Sequence, residues 1–209
     1  MTGEIAFNLY LITDRKGCAG RPLATVVEEA FRGGVRALQL REKDLPGRDL
    51  YEAAVEMREL TLRHGAQLFI NDRVDIAMAV EADGVHLGES GIPAKVARKL
   101  LGKEKLIGVS CHSLESALSA QERGADFITC GPVFHTPSKA AYGEPVGLPL
   151  LAEVARSTNI PVIAIGGIKR GNIVEVMAAG VKGIALISAV IAAADPKGEA
   201  EILLSLIGN

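Results

Sequence analysis

The chain alternates short, continuous apolar runs with longer segments in which apolar residues recur every three or four positions. Eight of the short runs are rich in aliphatic and β-branched residues and predict strands at 8–13, 35–40, 67–70, 83–87, 106–110, 126–130, 161–165 and 183–187. Consecutive rather than alternating apolar positions are typical of parallel strands that are covered on their outer face. The segments between them predict helices, one with an apolar stripe at Leu50, Ala53, Ala54, Met57 and Leu60.

Eight strands that alternate with helices predict an α/β fold, a single-domain (β/α)8 TIM barrel over residues 1–209. A doubly wound open sheet is the competing architecture, but it usually has fewer repeats and carries a glycine fingerprint after its first strand. Here the first strand is followed by Thr13-Asp14-Arg15, which is not such a loop. The barrel is therefore the favoured fold.

Polar residues concentrate where the predicted strands end, and the carboxyl ends of barrel strands are where active sites form. In strand order these residues are Gln39, Arg41 and Lys43; Asn71 and Asp72; His86 and Glu89; Ser110 and His112; Thr136, Ser138 and Lys139; Gly166 and Gly167; and Ser188. His86 is expected to be a hydrogen-bonded interior side chain. The others are expected to lie on one rim.

The residue types on this rim suit phosphate oxygens. Arg41, Lys43 and Lys139 are cations, and the hydroxyl groups near them are further donors. Asp72 is a hard oxygen ligand, and a carboxylate beside phosphates usually indicates Mg²⁺. Gly167, in a Gly-Gly pair that precedes a helix, predicts a backbone site for an anion.

Composition argues against several other classes of protein. The net charge is −2 and there is no basic block, so nucleic-acid binding is not expected. The apolar runs are too short to span a membrane, and the N-terminus lacks the features of a signal peptide, which predicts a cytoplasmic protein. Three cysteines without metal-ligand spacing predict buried thiols.

The motifs at the strand ends resemble the thiamine phosphate synthase family. They are QLREK at 39–43, NDRVDIA at 71–77, DGVHLG at 83–88, GVS at 108–110, GPVF at 131–134, TPSK at 136–139 and AIGGI at 164–168. The likeness runs from about Leu9 to Ser188 in unbroken order. It implies an enzyme that joins a hydroxymethylpyrimidine diphosphate to a thiazole phosphate, with no protein nucleophile.

The resemblance also implies two sites for small phosphorylated substrates. The positions that match the pyrimidine diphosphate site are Arg41, Lys43, Asn71, Ser110 and Lys139, with Gln39 near the pyrimidine. Those that match the thiazole phosphate site are Thr136, Ser138, Gly167, Ile187 and Ser188. Leu40, Glu42 and Pro137 are also expected to bind substrate. Diphosphate leaves readily only when its charge is neutralised, so the expected catalytic residues are Arg41, Lys43, Ser110 and Lys139. The oligomeric state is left open, a homo-oligomer included.

One departure from the family concerns the metal. The family holds Mg²⁺ with two aspartates, and the first of them is present as Asp72. The second position aligns with Gly91, which has no ligand atom on its side chain. Glu89 is a candidate replacement, and this hypothesis fails if a Glu89→Gln variant keeps an unchanged Mg²⁺ dependence.

Two other functions stay open. A related thiazole tautomerase would move a double bond by proton transfer, with His112 as the acid/base. The missing aspartate favours that reading, whereas Lys43, Asn71 and Asp72 argue against it because a tautomerase has no diphosphate to hold. A non-catalytic, thiazole-phosphate-binding regulatory protein is the third possibility, since a fold does not determine a function.

Overall fold

A computed structural model describes residues 5–88, 91–136 and 144–208. Parallel strands close into a barrel in chain order, with the last strand paired to the first. They are β1 (Leu9–Ile12), β2 (Ala37–Leu40), β3 (Gln67–Asn71), β4 (Gly84–Leu87), β5 (Leu106–Cys111), β6 (Phe127–Cys130), β7 (Val162–Ile165) and β8 (Gly183–Leu186). The predicted (β/α)8 barrel is confirmed, and each predicted strand coincides with an observed one to within two residues at either end.

Helices cover the outside of the barrel. In the described residues they are α1 (Leu23–Arg32), α2 (Gly47–His64), α3 (Val74–Ala79), α4 (Ala94–Leu101), α5 (Leu114–Glu122), α6 (Gly147–Ser157), α7 (Ile173–Ala178), α8 (Ser188–Ile191) and α9 (Pro196–Ile207). The predicted stripe on α2 is buried except for Ala53, which is partly buried and packs against the core. Helix α5 begins at a capping box, in which Ser113 and Ser116 each accept the other's backbone N–H. None of these helices combines the length and apolar character needed to cross a membrane.

An aromatic cluster fills the amino-terminal half of the barrel. Phe7, Tyr10, Phe69 and Phe127 are fully or almost fully buried, and their ring centroids lie 5.2 to 5.8 Å apart, mostly edge to face. The Gln39 amide donates to the Tyr10 hydroxyl over 3.2 Å on the carboxyl side of this cluster. The aromatic cluster therefore forms the floor beneath the rim where the polar residues collect.

A buried ion pair closes part of the opposite, amino-terminal rim. Asp126 immediately precedes β6, and one of its carboxylate oxygens accepts both the Arg98 guanidinium and the Ile107 backbone N–H, the latter over 2.7 Å. Only 5% of the Asp126 side chain is exposed. A buried carboxylate is tolerated because it is paired and hydrogen-bonded in this way.

The three cysteines, all of them among the described residues, are buried and form no disulfide. Burial raises the pKa of the Cys130 thiol to about 11, so the reactive thiolate is scarce at neutral pH. This agrees with the expectation of structural thiols.

Candidate active site

Two adjoining cavities open at the carboxyl ends of the strands. The first, the central cavity, has a volume of about 70 Å³ and is lined by Ile12, Gln39, Arg41, Asn71, His86, Ser110, Thr129, Ile165 and Ile187. The second, the Gly-Gly cavity, has about 290 Å³ and is lined by His135, Thr136, Ile165, Gly166, Gly167, Ile168, Lys169, Ala185, Leu186, Ile187, Ser188 and Ala189. Ile165 and Ile187 belong to both linings, so the cavities share an apolar wall.

The central cavity brings together residues from several strands. Gln39 and Arg41 come from the end of β2, Asn71 from the end of β3, and Ser110 from β5. These are members of the set that was expected to hold a pyrimidine diphosphate. Parallel strands of a barrel end at one rim, which is why residues so far apart in sequence meet here.

A buried hydrogen-bonded group supports Ser110 from below. The Nε2 atom of His86 lies 3.1 Å from the Ser110 hydroxyl oxygen and 3.4 Å from the Thr129 hydroxyl oxygen. His86 is 2% exposed, as expected for an interior histidine, although it also lines the central cavity. Thr129 was missed in the sequence because it sits within an apolar strand. Together His86 and Thr129 hold the Ser110 hydroxyl in a defined place.

Asp72 occupies an unusual backbone conformation beside Asn71. Its φ of 57° lies in the left-handed region, which non-glycine residues adopt mainly where surrounding contacts enforce it. One carboxylate oxygen accepts the Gly88 N–H over 2.7 Å, and the other accepts the Asn71 side-chain amide over 2.9 Å. Helix α3 starts only at Val74, and Asp72 does not cap it. These bonds hold the carboxylate next to a residue of the central cavity.

The described residues around Asp72 fit a Mg²⁺ site with one protein carboxylate rather than a site with two. A Cβ atom at Gly91 would lie 2.5 Å from Asp72 Oδ1 and 3.1 Å from the Gly88 carbonyl oxygen, so a second aspartate here would require the Asp72 carboxylate to move. No group of three or more acidic, histidine or cysteine side chains among the described residues could hold a metal ion. Glu89 lies outside the described residues. One carboxylate fits an ion that is bound largely through substrate phosphates and water.

The Gly-Gly cavity contains described members of the expected thiazole phosphate set, namely Thr136, Gly167, Ile187 and Ser188. Gly167 has a φ of 67°, and a Cβ there would lie 2.7 Å from Phe134 Cβ. The loop is held by Asn172, whose amide group donates to the Gly167 carbonyl over 3.1 Å and accepts the Lys169 N–H over 2.7 Å. The loop thus needs glycine at this position.

Two of the polar side chains that line the Gly-Gly cavity were not among the expected site residues. Lys169 follows the Gly-Gly pair by two positions, and its place in the same loop was the signal that could have found it. His135 precedes Thr136 and is exposed. Both add polar groups to a wall that is otherwise formed by backbone, hydroxyl and apolar groups.

Several expected site residues line neither cavity. Leu40 is buried, Lys43 is exposed, and the Glu42 carboxylate binds Arg15. His112 lines neither cavity, and its Nδ1 atom contacts the Gly131 carbonyl oxygen. Pro137, Ser138 and Lys139 lie outside the described residues. The roles expected for them stay predictions.

The fold and the site define the class of protein. It is a (β/α)8 barrel enzyme with two adjoining cavities, both partly lined by polar groups, at the carboxyl ends of its strands. The family model described as "Thiamine monophosphate synthase" matches residues 9–190. The chain belongs to this family.

Individual relatives agree with the family match. The chain is 61% identical over 204 residues to a Geobacter sulfurreducens protein provisionally named a thiamine-phosphate synthase, covering 98% of this chain and 96% of that protein. It is 45% identical to the thiamine-phosphate synthase of Clostridium novyi, over 97% of this chain and all of the relative. Among solved structures, the thiamine phosphate pyrophosphorylase of Pyrococcus furiosus matches with a TM-score of 0.88 at 42% identity, covering 96% and 95% of the two chains.

Proposed function

We propose that this protein is a thiamine-phosphate synthase, a transferase that joins a pyrimidinylmethyl group to a thiazole phosphate and releases diphosphate. The observation that carries the proposal is the pairing of the two cavities across the shared Ile165 and Ile187 wall. A reaction between two phosphorylated substrates requires two anion sites whose reacting ends meet. The family and the names of its relatives support the same activity.

In the central cavity, the protein's task is to make diphosphate a good leaving group. The C–O bond to the pyrimidine methylene breaks and its electron pair leaves with the diphosphate oxygen. The Arg41 guanidinium is a fixed cation for that charge, and the Asn71 amide and Ser110 hydroxyl are donors beside it. Preorganised donors stabilise the charge as it develops.

Mg²⁺ is proposed as the cofactor, with Asp72 as its ligand from the protein. When bound, the ion would supply additional neutralisation of the diphosphate charge. The Asp72 carboxylate keeps lone pairs beyond those that accept the Gly88 and Asn71 donors. A role for Glu89 in holding the ion stays a prediction.

In the Gly-Gly cavity, the protein's task is to position the thiazole. Gly167, Thr136 and Ser188 offer backbone and hydroxyl groups to a phosphate at the outer end. The apolar wall of Ile165 and Ile187 then lies between that phosphate and the central cavity. The thiazole nitrogen forms the new C–N bond to the methylene carbon, and holding both partners in place contributes much of the rate.

The absence of a second aspartate at Gly91 is compatible with a tautomerase, but no other observation favours either of the two competing functions. His112, the acid/base of the tautomerase hypothesis, lines neither cavity, and an isomerase is not needed to account for relatives that are named synthases. The regulatory hypothesis likewise finds no support among relatives that are named as enzymes. The cytoplasmic location and the oligomeric state stay predictions.

The test is incubation of the purified protein with both phosphorylated substrates and Mg²⁺. Thiamine phosphate and diphosphate are expected to form in equal amounts. A parallel incubation with the thiazole carboxylate phosphate alone is followed for isomerisation. If only the second reaction occurs, the protein is a tautomerase; if both substrates bind and neither reaction occurs, it is not a catalyst of either kind.

Lys169→Ala is expected to weaken binding of the thiazole phosphate about fivefold, because a partly exposed charge pair contributes ~1 kcal/mol. Isothermal titration calorimetry with the thiazole phosphate measures this. Lys182→Ala is the matched control, since Lys182 is exposed at the amino-terminal end of β8. Equal affinities for the two variants would contradict a role for Lys169 in the Gly-Gly cavity.

A further inference from the structure

A buried carboxylate lies between two of the cations that are expected to bind diphosphate. Glu42 follows Arg41 and precedes Lys43, yet only 3% of its side chain is exposed. Its Oε1 atom accepts the Arg15 backbone N–H over 3.0 Å, and its Oε2 atom accepts Arg15 Nη1 over 3.0 Å. The carboxylate thus binds the loop after β1 rather than either cavity.

Other bonds tie the same two loops together. The fully buried Thr13 hydroxyl accepts the Arg41 backbone N–H over 2.9 Å. Asp44 accepts Arg15 Nη1 over 2.5 Å and Nη2 over 2.8 Å, and it pairs with Lys16 over 2.7 Å. The backbone on both sides of Lys43 is therefore anchored to the loop that follows β1.

The ion pairs in this network leave the positive charge of Arg41 without a neutralising carboxylate among the described residues. Glu42 is the adjacent residue and would be a ready partner, but Arg15 satisfies it instead. None of the ion pairs within the described residues involves Arg41. A buried carboxylate that lost Arg15 would be left without its cation, which is strongly unfavourable unless the loop moves.

We propose that Arg15 and Glu42 are positioning residues for the diphosphate leaving group. They hold the loop after β2 so that Arg41 and Lys43 are fixed relative to the central cavity, and neither of them touches the substrate. This inference rests on the proposed function and adds to it: it reassigns Glu42 from the substrate-binding set and brings in Arg15, which sequence reasoning did not select.

A purely stabilising role is the alternative, and the chain offers a matched control for it. The Arg98–Asp126 pair has the same design: a buried carboxylate accepts a guanidinium and a backbone N–H. Its side chains are 25% and 5% exposed, compared with 33% and 3% for Arg15 and Glu42. It lies at the opposite rim, so breaking it removes stability without disturbing the loop after β2.

The experiment measures binding of inorganic diphosphate, with Mg²⁺ present, to the full-length protein by calorimetry. Arg15→Ala and Glu42→Gln are each expected to weaken diphosphate binding about 10- to 100-fold, by analogy with the loss that follows when groups orienting the protein ligands of a metal are removed. Arg15→Lys keeps the positive charge but not the planar, two-pronged guanidinium, so its diphosphate affinity is expected to be intermediate. In steady-state assays KM for the pyrimidine diphosphate rises, whereas KM for the thiazole phosphate stays within twofold.

Arg98→Ala is expected to lower Tm as much as Arg15→Ala while leaving diphosphate binding within twofold of the unaltered protein. The inference is overturned if Arg15→Lys and Glu42→Gln, folded by circular dichroism, bind diphosphate normally, or if Arg98→Ala weakens binding equally. If the unaltered protein itself fails to bind diphosphate, both the proposed function and this inference are contradicted.

Discussion

Arg41→Ala is expected to lower kcat/KM for the pyrimidine diphosphate by about 100- to 1000-fold, the usual loss when one preorganised group that stabilises the transition state is removed. Arg41 lines the central cavity and has no ion-pair partner among the described residues, so its charge is available to the leaving group. Steady-state kinetics with the second substrate at saturation measures the change. Arg41→Lys is expected to recover part of the loss, because lysine keeps the charge without the bidentate geometry.

Arg48→Ala is the control for this substitution. It removes the same formal charge a few residues further on, from a side chain that is 87% exposed and paired only with Glu52 among the described residues. Its kcat/KM is expected to stay within about twofold of the unaltered protein, since exposed ion pairs contribute little. Similar losses in both variants would mean that net charge, rather than the place of Arg41, matters.

Gly167→Ala is expected to weaken thiazole phosphate binding and to lower kcat/KM for it about 100-fold, because a displacement of about 1 Å in a positioning group can slow a reaction by that much. The backbone φ of 67° disfavours alanine, and its Cβ would lie 2.7 Å from Phe134 Cβ and 2.8 Å from the Phe134 carbonyl oxygen. The loop or Phe134 must therefore move. Calorimetry with the thiazole phosphate and with inorganic diphosphate separates the two cavities: only the first ligand is expected to lose affinity.

Gly171→Ala serves as the comparison in the same loop. No atom lies within 4 Å of a Cβ at Gly171, and its φ is not in the left-handed region. Binding of both ligands is expected to be normal. A comparable loss in Gly171→Ala would show that the loop tolerates no side chains in general, and would remove the argument for a specific site at Gly167.

The architecture was predictable because continuous apolar runs are by themselves enough to indicate parallel strands in this chain. Each predicted run became a strand, and α2 buried the stripe at Leu50, Met57 and Leu60. Strand order then followed from the alternation with helices. Because all strand ends of such a barrel meet at one rim, Arg41 and Ser110 could be expected to approach each other without any knowledge of side-chain geometry.

Side-chain partnerships were not predictable in the same way. Glu42 stands between two cations in sequence, and nothing local shows that its partner is Arg15, 27 residues earlier. Thr129 was hidden in an apolar strand, although its hydroxyl contacts the group that supports Ser110. Such contacts depend on the register of neighbouring strands, which the apolar pattern of a single strand does not encode.

The close approach of Gly91 to Asp72 has an evolutionary consequence. A glycine codon that ends in a pyrimidine becomes an aspartate codon by one base change, so the second aspartate implied by the resemblance to the family could arise at Gly91 in a single step. Structurally the change is larger, because the new side chain would start 2.5 Å from the carboxylate it is meant to assist. The Asp72 carboxylate, which accepts the Gly88 N–H and the Asn71 amide, must leave its present position before that substitution can supply a metal ligand, so the substitution is expected to need compensating changes around Asp72.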